Sequence, residues 1–348
     1  MSVRLIAAST LALALAACGP QDSEPRAPAA PRVATPAPLL TAAQIEAGLP
    51  RVSSPASADS AGEGPAAPAA HAPDPGMVRL QILLDRTAFS PGVIDGLGGD
   101  NTRQAHAAWR KAYDVTGGDD AVVLRRLAAA DTGRVMTTHV LTEADVAGPF
   151  SPPATGDLAD IARAGVQFTS ARERLAERFH VTEALLQGLN PGVDFRRAGR
   201  RIVVPAVTDT PLSGVARIEI DKTDRSARAF DASGTLLAFY PATIGSTERP
   251  APSGTVTVVG VAPEPDYTYD PKRVSYDRGD ARVVVPAGPN NPVGTVWIDL
   301  SRDTYGIHGT PDPSKIGKTA SNGCVRLTNW DAEQLAAGVK PGVVVRFI

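Results

Sequence analysis

The stretch His308–Leu327, HGTPDPSKIGKTASNGCVRL, decides how the rest of this 348-residue chain is interpreted. It contains Cys324, one of two cysteines in the sequence, and His308, the last histidine of the chain. A thiol becomes a nucleophile when a neighbouring base takes its proton and backbone N–H groups stabilise the oxyanion formed on attack. A buried cysteine and a hydrogen-bonded core histidine are the alternative interpretation for an arbitrary pair. The flanking residues favour the catalytic one.

Those flanks carry a family resemblance. The pattern Tyr305-Gly-Ile-His-Gly-Thr, a Gly/Pro loop and Ser321-Asn-Gly-Cys-Val-Arg-Leu resembles the signature of the L,D-transpeptidase (YkuD-type) catalytic domain. That family's motif is a His, a loop and Ser/Thr-His-Gly-Cys. The resemblance extends upstream to about Val215, and it implies a mainly β, sandwich-like or barrel-like catalytic domain over residues 213–348.

The resemblance assigns roles to five residues by motif position. Cys324 matches the nucleophile, and His308 matches the general base and acid. Gly309 matches the residue whose carbonyl orients the imidazole. Ser321 and Gly323 match the residues that shape the oxyanion pocket, and the lack of a side chain at Gly323 lets the backbone approach a carbonyl closely.

Three further positions are expected in the site. Asn322 stands where many members have a second histidine, so we expect an amide, and no second imidazole, beside the oxyanion. Arg326 replaces the asparagine of some members and could hold a substrate carboxylate through its planar fork of donors. Tyr305, within the motif, is a second candidate for contact with the substrate.

The implied reaction is acyl transfer on a peptidoglycan stem tetrapeptide. The thiolate attacks the carbonyl of the third residue, D-alanine leaves, and a thioester remains. A second stem's amine would form a 3-3 cross-link, a wall-linked lipoprotein is another possible acceptor, and water would make the enzyme an L,D-carboxypeptidase or endopeptidase. A non-catalytic wall-tethering lipoprotein is the third hypothesis. We expect no metal or other cofactor, because one Cys and one His leave a zinc site two ligands short.

The composition of the chain limits the number of domains and the classes of partner that we expect. The chain is 43% hydrophobic, is long enough for two or three domains, and carries a formal net charge of −2. This near-neutral balance argues against nucleic acid as a partner.

Residues 1–17 are expected to be a signal peptide. Arg4 precedes the apolar run Leu5–Ala17, which is too short to span a bilayer. Leu15-Ala16-Ala17-Cys18 resembles the lipobox of bacterial lipoproteins, and this implies lipidation of Cys18. A plain secretory peptide is the alternative. Because Gly19, and not aspartate, follows, we expect a lipid anchor in the outer membrane and a protein facing the periplasm. With both cysteines assigned, no disulfide is expected.

Residues 18–76 are predicted to be a tether. The part after Cys18 holds 12 of the 31 prolines and no aromatic residue, which predicts an extended, flexible segment. One short helix is predicted at Leu39–Leu49, where Thr41 and Gln44 form a capping-box pattern.

Two small modules are predicted next. Residues 77–150 are expected to form helices near residues 78–84, 101–113 and 122–129, the second capped by Asp100 or Asn101. Leu80–Trp109 resembles the three-helix peptidoglycan-binding domain, with a generic helical bundle as the alternative. Residues 160–207 resemble a LysM glycan-binding module of order strand, helix, helix, strand, without the usual Gly-Asp-Thr opening. Together they imply glycan strands as partners, and His180 is expected to be structural.

The catalytic region is predicted to be rich in strands, separated by Gly, Pro, Asp and Asn clusters. The predicted strands are Ala216–Ile220, Ser226–Phe230, Leu236–Ile244, Gly254–Ala262, Arg282–Pro286, Thr295–Leu300 and Val343–Ile348. One helix is predicted at Trp330–Ala337, capped by Thr328 or Asn329 and bracing the nucleophile segment.

Overall fold

The structure is a computed structural model. It describes residues 37–50, 72–117, 120–153, 155–208, 210–274 and 276–348. The predicted signal peptide, the lipobox cysteine Cys18 and most of the predicted tether lie outside these residues. Every helix within them is too short or too polar to cross a membrane.

Short helices and two strands make up the N-terminal region. In chain order they are α1 Ala42–Ala47, α2 Pro75–Asp85, α3 Asp100–Ala112, α4 Asp120–Ala130, β1 Met136–Val140, α5 Glu143–Val146, α6 Leu158–Ala164, α7 Ala171–Arg178, α8 Glu183–Leu189 and β2 Arg201–Pro205. The three helices predicted after residue 77 are present as α2, α3 and α4. The predicted cap of α3 is wrong, because Gly99 occupies the N-cap position and Asp100 is already helical.

Helix α1 shows why part of the predicted tether is folded. Its capping box is present, since the Gln44 N–H donates to the Thr41 hydroxyl and the Thr41 N–H donates to the Gln44 side chain. Leu40 and Ile45 are buried in the same core as α2. The short helix predicted within Leu39–Leu49 is present as α1, and it packs on the domain because these two apolar side chains are buried there.

The two predicted modules share one core. Strand β1 pairs antiparallel with β2, from Met136↔Pro205 to Val140↔Arg201. The partner of β2 thus lies at residues 136–140, inside the first predicted module, and α5 and α6 separate it from α7. The strand, helix, helix, strand order predicted for residues 160–207 is therefore wrong, because its opening strand is missing from the described residues of that range. A single cluster of buried side chains joins Leu83 of α2, Leu175 of α7 and Val204 of β2. The boundary predicted between residues 150 and 160 is crossed by both the strand pairing and the core.

Helix α7 begins with one of the two hydrogen bonds of a capping box. The Ser170 hydroxyl accepts from the Glu173 N–H at 3.1 Å. The Glu173 carboxylate does not return a bond to Ser170, because it binds the N–H and hydroxyl of Thr169 instead.

The C-terminal region contains eleven strands and one α-helix among the described residues. They are β3 Arg217–Asp221, β4 Ser226–Phe230, β5 Leu236–Pro241, β6 Thr243–Ile244, β7 Gly254–Pro263, β8 Tyr267–Tyr269, β9 Val283–Val285, β10 Val296–Leu300, β11 Gly306–His308, β12 Val325–Arg326, α9 Asn329–Gly338 and β13 Val344–Phe347. Six of the seven predicted strands and the helix are confirmed to within one residue at each end, and the seventh, Leu236–Ile244, is wrong because it divides into β5 and β6. Strands β8, β11 and β12 were not predicted, because two or three residues carry no measurable periodicity.

The main sheet nearly closes into a barrel. Its nine strands lie in the order β5-β4-β3-β13-β7-β10-β11-β12-β6. Strands β5 and β6 are consecutive along the chain yet lie at opposite ends of this order, so residues 236–244 join the two edges. Apolar side chains such as Ile218, Ile298 and Val345 fill the interior. Strands β8 and β9 form a separate hairpin that packs on α6.

A polar junction joins the N-terminal region to helix α9. The Ser90 hydroxyl donates to the buried Asp331 carboxylate at 3.0 Å. His180 lies 3.0 Å from Asp85 and stacks on Trp330 with ring centroids 4.7 Å apart. His180 thus packs as the structural residue expected from the sequence. Burial, followed by the nearby Asp85 charge, raises the pKa of Asp331 to about 7.

This raised pKa predicts how stability depends on pH. The folded pKa lies above that of an unfolded aspartate, about 3.9, so ionisation of Asp331 favours unfolding. The stabilisation is fully present below pH 4 and is lost as the pH rises towards 7. We expect the free energy of unfolding to fall across this window, and Asp331→Asn to flatten the decline. Urea denaturation at pH 4.5, 6 and 8 measures the free energy of unfolding of both proteins. An equal decline with pH in the unmodified protein and in Asp331→Asn would contradict a raised pKa at Asp331.

Candidate active site

The site is built on the parallel pairing of strands β11 and β12. Ile307 pairs with Val325, and His308 pairs with Arg326. Ile307 and Val325 are fully buried in the barrel core. Because side chains alternate along a strand, His308, Arg326 and the preceding Cys324 project from the opposite face. All three line one cavity of about 1080 Å³.

His308 is held as a neutral imidazole. Its Nδ1–H donates to the Gly309 carbonyl at 2.7 Å, so in this tautomer Nε2 is the basic nitrogen. The ring is 3% exposed and stacks on Trp297 with centroids 5.4 Å apart. Burial, and secondarily the Arg326 charge, lowers the pKa of His308 to about 3. The imidazole can therefore accept a proton at neutral pH but does not carry one beforehand.

The Cys324 thiol is also neutral in this structure. It donates to the Thr304 carbonyl, with 3.6 Å between sulfur and oxygen. Burial raises the pKa of the thiol above its usual value, against the opposing effects of the Gly306 N–H and Arg326. Thr304 has φ +67°, a strained value for a β-branched residue. Strain at Thr304 thus accompanies a carbonyl aimed at the nucleophile.

The thiol and the imidazole share a face but are not hydrogen-bonded to each other. Cys324 precedes the Ile307↔Val325 pair, so it lies diagonally across from His308 on the neighbouring strand. The thiol donates to the Thr304 carbonyl and also lies near the Gly306 N–H, and the imidazole donates to the Gly309 carbonyl and also lies near the Val293 backbone. Catalytic hydrogen bonds are often long or misaligned in unliganded enzymes. The site therefore holds base and nucleophile side by side before proton transfer.

Ser321 and Gly323 shape the turn that presents Cys324. The Ser321 hydroxyl donates to the Cys324 carbonyl at 2.6 Å and accepts from the Gly323 N–H at 3.3 Å. Gly323 has φ +111°, and a Cβ there would lie 2.8 Å from the Tyr305 ring. The turn thus requires glycine, and Tyr305 forms a wall behind it. The Gly323 N–H, expected to face the oxyanion, is engaged by Ser321 instead.

Asn322 binds an arginine. Its side-chain oxygen accepts from Arg249 at 2.7 Å, and the Arg249 guanidinium lies over the Tyr276 ring, 5.3 Å from the centroid. Asn322 lines the cavity, but its bond goes to Arg249 and not to the His308 or Cys324 side chains. The departure from the family motif at this position therefore puts an amide bound to Arg249 where many members have a second imidazole.

Arg326 brings a positive charge to the nucleophile. Its side chain lines the cavity, and its Nε is buried without a hydrogen-bond partner. No acidic side chain forms an ion pair with it in the described part of the chain. Burial lowers the pKa of Arg326, and Arg278 acts in the same direction from the same cavity. The orphaned guanidinium is suited to a substrate carboxylate.

Several site residues were not predicted from the sequence. Trp297 reaches His308 only through the β10–β11 register, in which the two residues are paired. Thr304 precedes β11 in a turn with no motif of its own. Asn329 was considered only as a helix cap, although its side chain accepts from the Thr310 N–H. In the sequence, the one feature that could have indicated these residues was the presence of short polar side chains next to the motif histidine. No group of three metal-ligating side chains lies close together within the described ranges.

Comparisons with known proteins agree on one family. The family model described as the L,D-transpeptidase catalytic domain (YkuD) matches residues 215–346. A Bacillus licheniformis protein named as the L,D-transpeptidase YkuD is 30% identical over 175 residues, which are 50% of this chain and 90% of that protein. An Escherichia coli protein named as the L,D-transpeptidase ErfK/SrfK is 32% identical over 46% of this chain and 53% of that protein.

A solved structure is also similar to part of the chain. The catalytic domain of the Enterococcus faecium L,D-transpeptidase matches 40% of this chain and all of that domain, at 17% identity and a TM-score of 0.31.

The neutral state of the thiol predicts the pH dependence of its alkylation. We expect the rate of iodoacetamide modification at Cys324 to keep rising above pH 8, because the thiolate forms only above the ordinary thiol pKa. Peptide mapping would follow Cys324 separately from Cys18. A rate that levels off below pH 7 would show a preformed thiolate–imidazolium pair and contradict the neutral pair.

Proposed function

The chain belongs to the YkuD family of L,D-transpeptidases, and from this premise we propose that it transfers the acyl group of a peptidoglycan stem peptide through a thioester on Cys324. The observation that carries the proposal is the β11–β12 pairing, from which Cys324 and a neutral, oriented His308 both line one cavity. A base and a nucleophile on adjacent rigid strands are the parts that acyl transfer requires.

The first half of the reaction forms the acyl-enzyme. The Cys324 thiol leaves the Thr304 carbonyl, gives its proton to Nε2 of His308, and its sulfur attacks the carbonyl carbon of the third stem residue. The tetrahedral intermediate collapses with cleavage of the C–N bond to D-alanine. The imidazolium gives its proton to the departing amine, and the thioester remains. Because the His308 pKa is far below neutral, the imidazolium is a strong acid and returns this proton readily.

The second half transfers the acyl group. An acceptor amine attacks the thioester carbonyl and passes a proton to Nε2 of His308, after which the C–S bond breaks and the thiol is reprotonated. With a second stem as acceptor the product is a 3-3 cross-link. Water in place of the amine gives hydrolysis, and a lipoprotein amine would give a wall-linked protein.

Oxyanion stabilisation falls mainly to the Cys324 turn. The Gly323 N–H is bound to Ser321 over 3.3 Å, a long hydrogen bond. We propose that the Cys324 N–H stabilises the oxyanion, and that Ser321 acts by fixing the turn through its 2.6 Å bond to the Cys324 carbonyl.

Product analysis tests the proposal directly. Incubated with a stem tetrapeptide donor and a second stem as acceptor, the protein should release D-alanine and form a cross-linked dimer. Cys324→Ala should abolish both products, by at least about a thousandfold, since it removes the nucleophile. His308→Gln should lower the rate by roughly a hundredfold or more, since it removes the base. Mass spectrometry of the peptides measures all three.

A matched control separates chemistry from folding. His139 lies on β1, pairs with Asp145 of α5 and does not line the cavity. The His139→Gln variant should therefore retain activity. D-alanine release without a dimer would identify a hydrolase. Unchanged peptides with the unmodified protein would favour a wall-binding protein without catalysis.

The orphaned Arg326 predicts substrate selectivity. Arg326→Lys keeps a positive charge but loses the planar fork, and the KM for the donor should rise roughly tenfold to a hundredfold, the range of a charged hydrogen bond. A donor whose carboxylates are converted to carboxamides should be used poorly by the unmodified protein and be insensitive to the substitution. Steady-state kinetics with both donors measures this; an equal KM increase for both would contradict a carboxylate contact.

We also propose a cellular location for the protein and an accessory role for its N-terminal region. The apolar run Leu5–Ala17 and the lipobox pattern ending at Cys18 support lipid anchoring in the outer membrane, with the folded region in the periplasm. The helix pair α7–α8, followed by β2 and its antiparallel pairing with β1, supports binding to glycan strands, as in LysM modules, although α5 and α6 lie between β1 and α7. Proximity to the wall would supply both donor and acceptor stems.

A further inference from the structure

Helix α7 contacts the catalytic region through two carboxylates one turn apart. Glu177 accepts from the Asn329 side-chain N–H at 2.7 Å. Glu173 accepts from the Asn290 side-chain N–H at 3.0 Å. Asn290 lies in the loop after β9, and Asn329 is the first residue of α9. An element of the N-terminal region therefore binds two asparagines that flank the catalytic cavity.

The Asn329 amide has all of its hydrogen-bonding capacity in use. Its Nδ2 donates to Glu177 and to the Pro289 carbonyl at 3.2 Å. Its Oδ1 accepts from the Thr310 N–H at 3.0 Å and from the Thr295 N–H at 3.3 Å. The residue is 2% exposed. Two donors and two acceptors, all satisfied in a dry environment, fix both the position and the orientation of the amide.

The backbone that orients His308 packs directly on this amide. A Cβ added to Gly309 would lie 2.1 Å from Asn329 Oδ1, and one added to Gly294 would lie 2.6 Å from the Gly309 carbonyl carbon. Gly309 is thus enclosed between Asn329 and Gly294 with no spare room. Its carbonyl is the acceptor that holds the His308 Nδ1–H. A displacement of Asn329 would therefore move the group that sets the tautomer of the base.

We propose that Glu177 and Asn329 are positioning residues, through which helix α7 holds the Gly309 carbonyl and thereby the tautomer and orientation of the His308 imidazole. The proposal rests on the proposed function for its kinetic part only. The N-terminal region then has a role in the chemical step, in addition to any binding to the cell wall. Burial, more than any other influence, raises the pKa of Glu177 to about 7.

A matched control exists one turn along the same junction. The Ser90–Asp331 bond also ties the N-terminal region to the first turn of α9, but it does not reach the Gly309 segment. Ser90→Ala and Glu177→Ala each remove one bond between the same two regions. A purely structural role for Glu177 predicts equal effects from the two substitutions on activity.

The kinetic test compares four variants of the full chain. We expect Glu177→Ala and Asn329→Ala to lower kcat at least tenfold with KM within about twofold, because misplacing a catalytic group slows the chemical step. Glu177→Gln, whose amide oxygen can still accept from Asn329, should rescue kcat to within about twofold. Ser90→Ala should leave kcat unchanged. Equal losses in Glu177→Ala and Ser90→Ala, or no loss in the former, would overturn the proposal.

A spectroscopic readout tests positioning without relying on activity. The ¹⁵N shifts of His308, assigned by comparison with His308→Gln, report which ring nitrogen carries the proton. The unmodified protein should show a protonated Nδ1, and Asn329→Ala should show a mixture of tautomers; Ser90→Ala should not change the spectrum. An unchanged tautomer in Asn329→Ala would overturn the proposal even if transpeptidation is confirmed. A changed tautomer in a protein without transpeptidase activity would reject the proposed function alone.

Discussion

The structure depends on the parallel register of two very short strands. Strands β11 and β12 pair over two residue pairs only, Ile307↔Val325 and His308↔Arg326. This register directs one residue of each strand into the barrel core and its neighbours into the cavity. A slip by one residue would bury the imidazole and expose the isoleucine, because side chains alternate with a period of two. The apolar pair Ile307 and Val325 therefore fixes the positions of His308 and Cys324.

The same pairing sets the electrostatics of the site. Burial disfavours the charged form of both groups, so the pKa of the imidazole falls and that of the thiol rises. Each shift disfavours a preformed thiolate–imidazolium pair. The site therefore holds a neutral base and a neutral nucleophile on the same face. Arg326, adjacent in the register, is a positive charge that lowers the pKa of both groups.

The sequence predicted the longer elements well and the shortest ones poorly. Ser226–Phe230 was predicted at the bounds that the structure has for β4, and Thr328 caps α9 as expected. The roles of Trp297 and Asn329 could not be predicted, because they depend on strand register and on contacts between distant segments. The shared N-terminal core was missed for the same reason. Its opening strand, Met136–Val140, finds its partner more than sixty residues later, beyond the reach of local patterns.

Intact-mass analysis of the acyl-enzyme tests the central claim most directly. With a stem tetrapeptide donor and no acceptor amine, the account predicts a mass increase equal to the donor less D-alanine, located on Cys324 by peptide mapping. The increase should be absent in Cys324→Ala and at least a hundredfold slower in His308→Gln, because the neutral imidazole takes the thiol proton. An adduct on another residue, or one that forms equally fast without His308, would contradict the account.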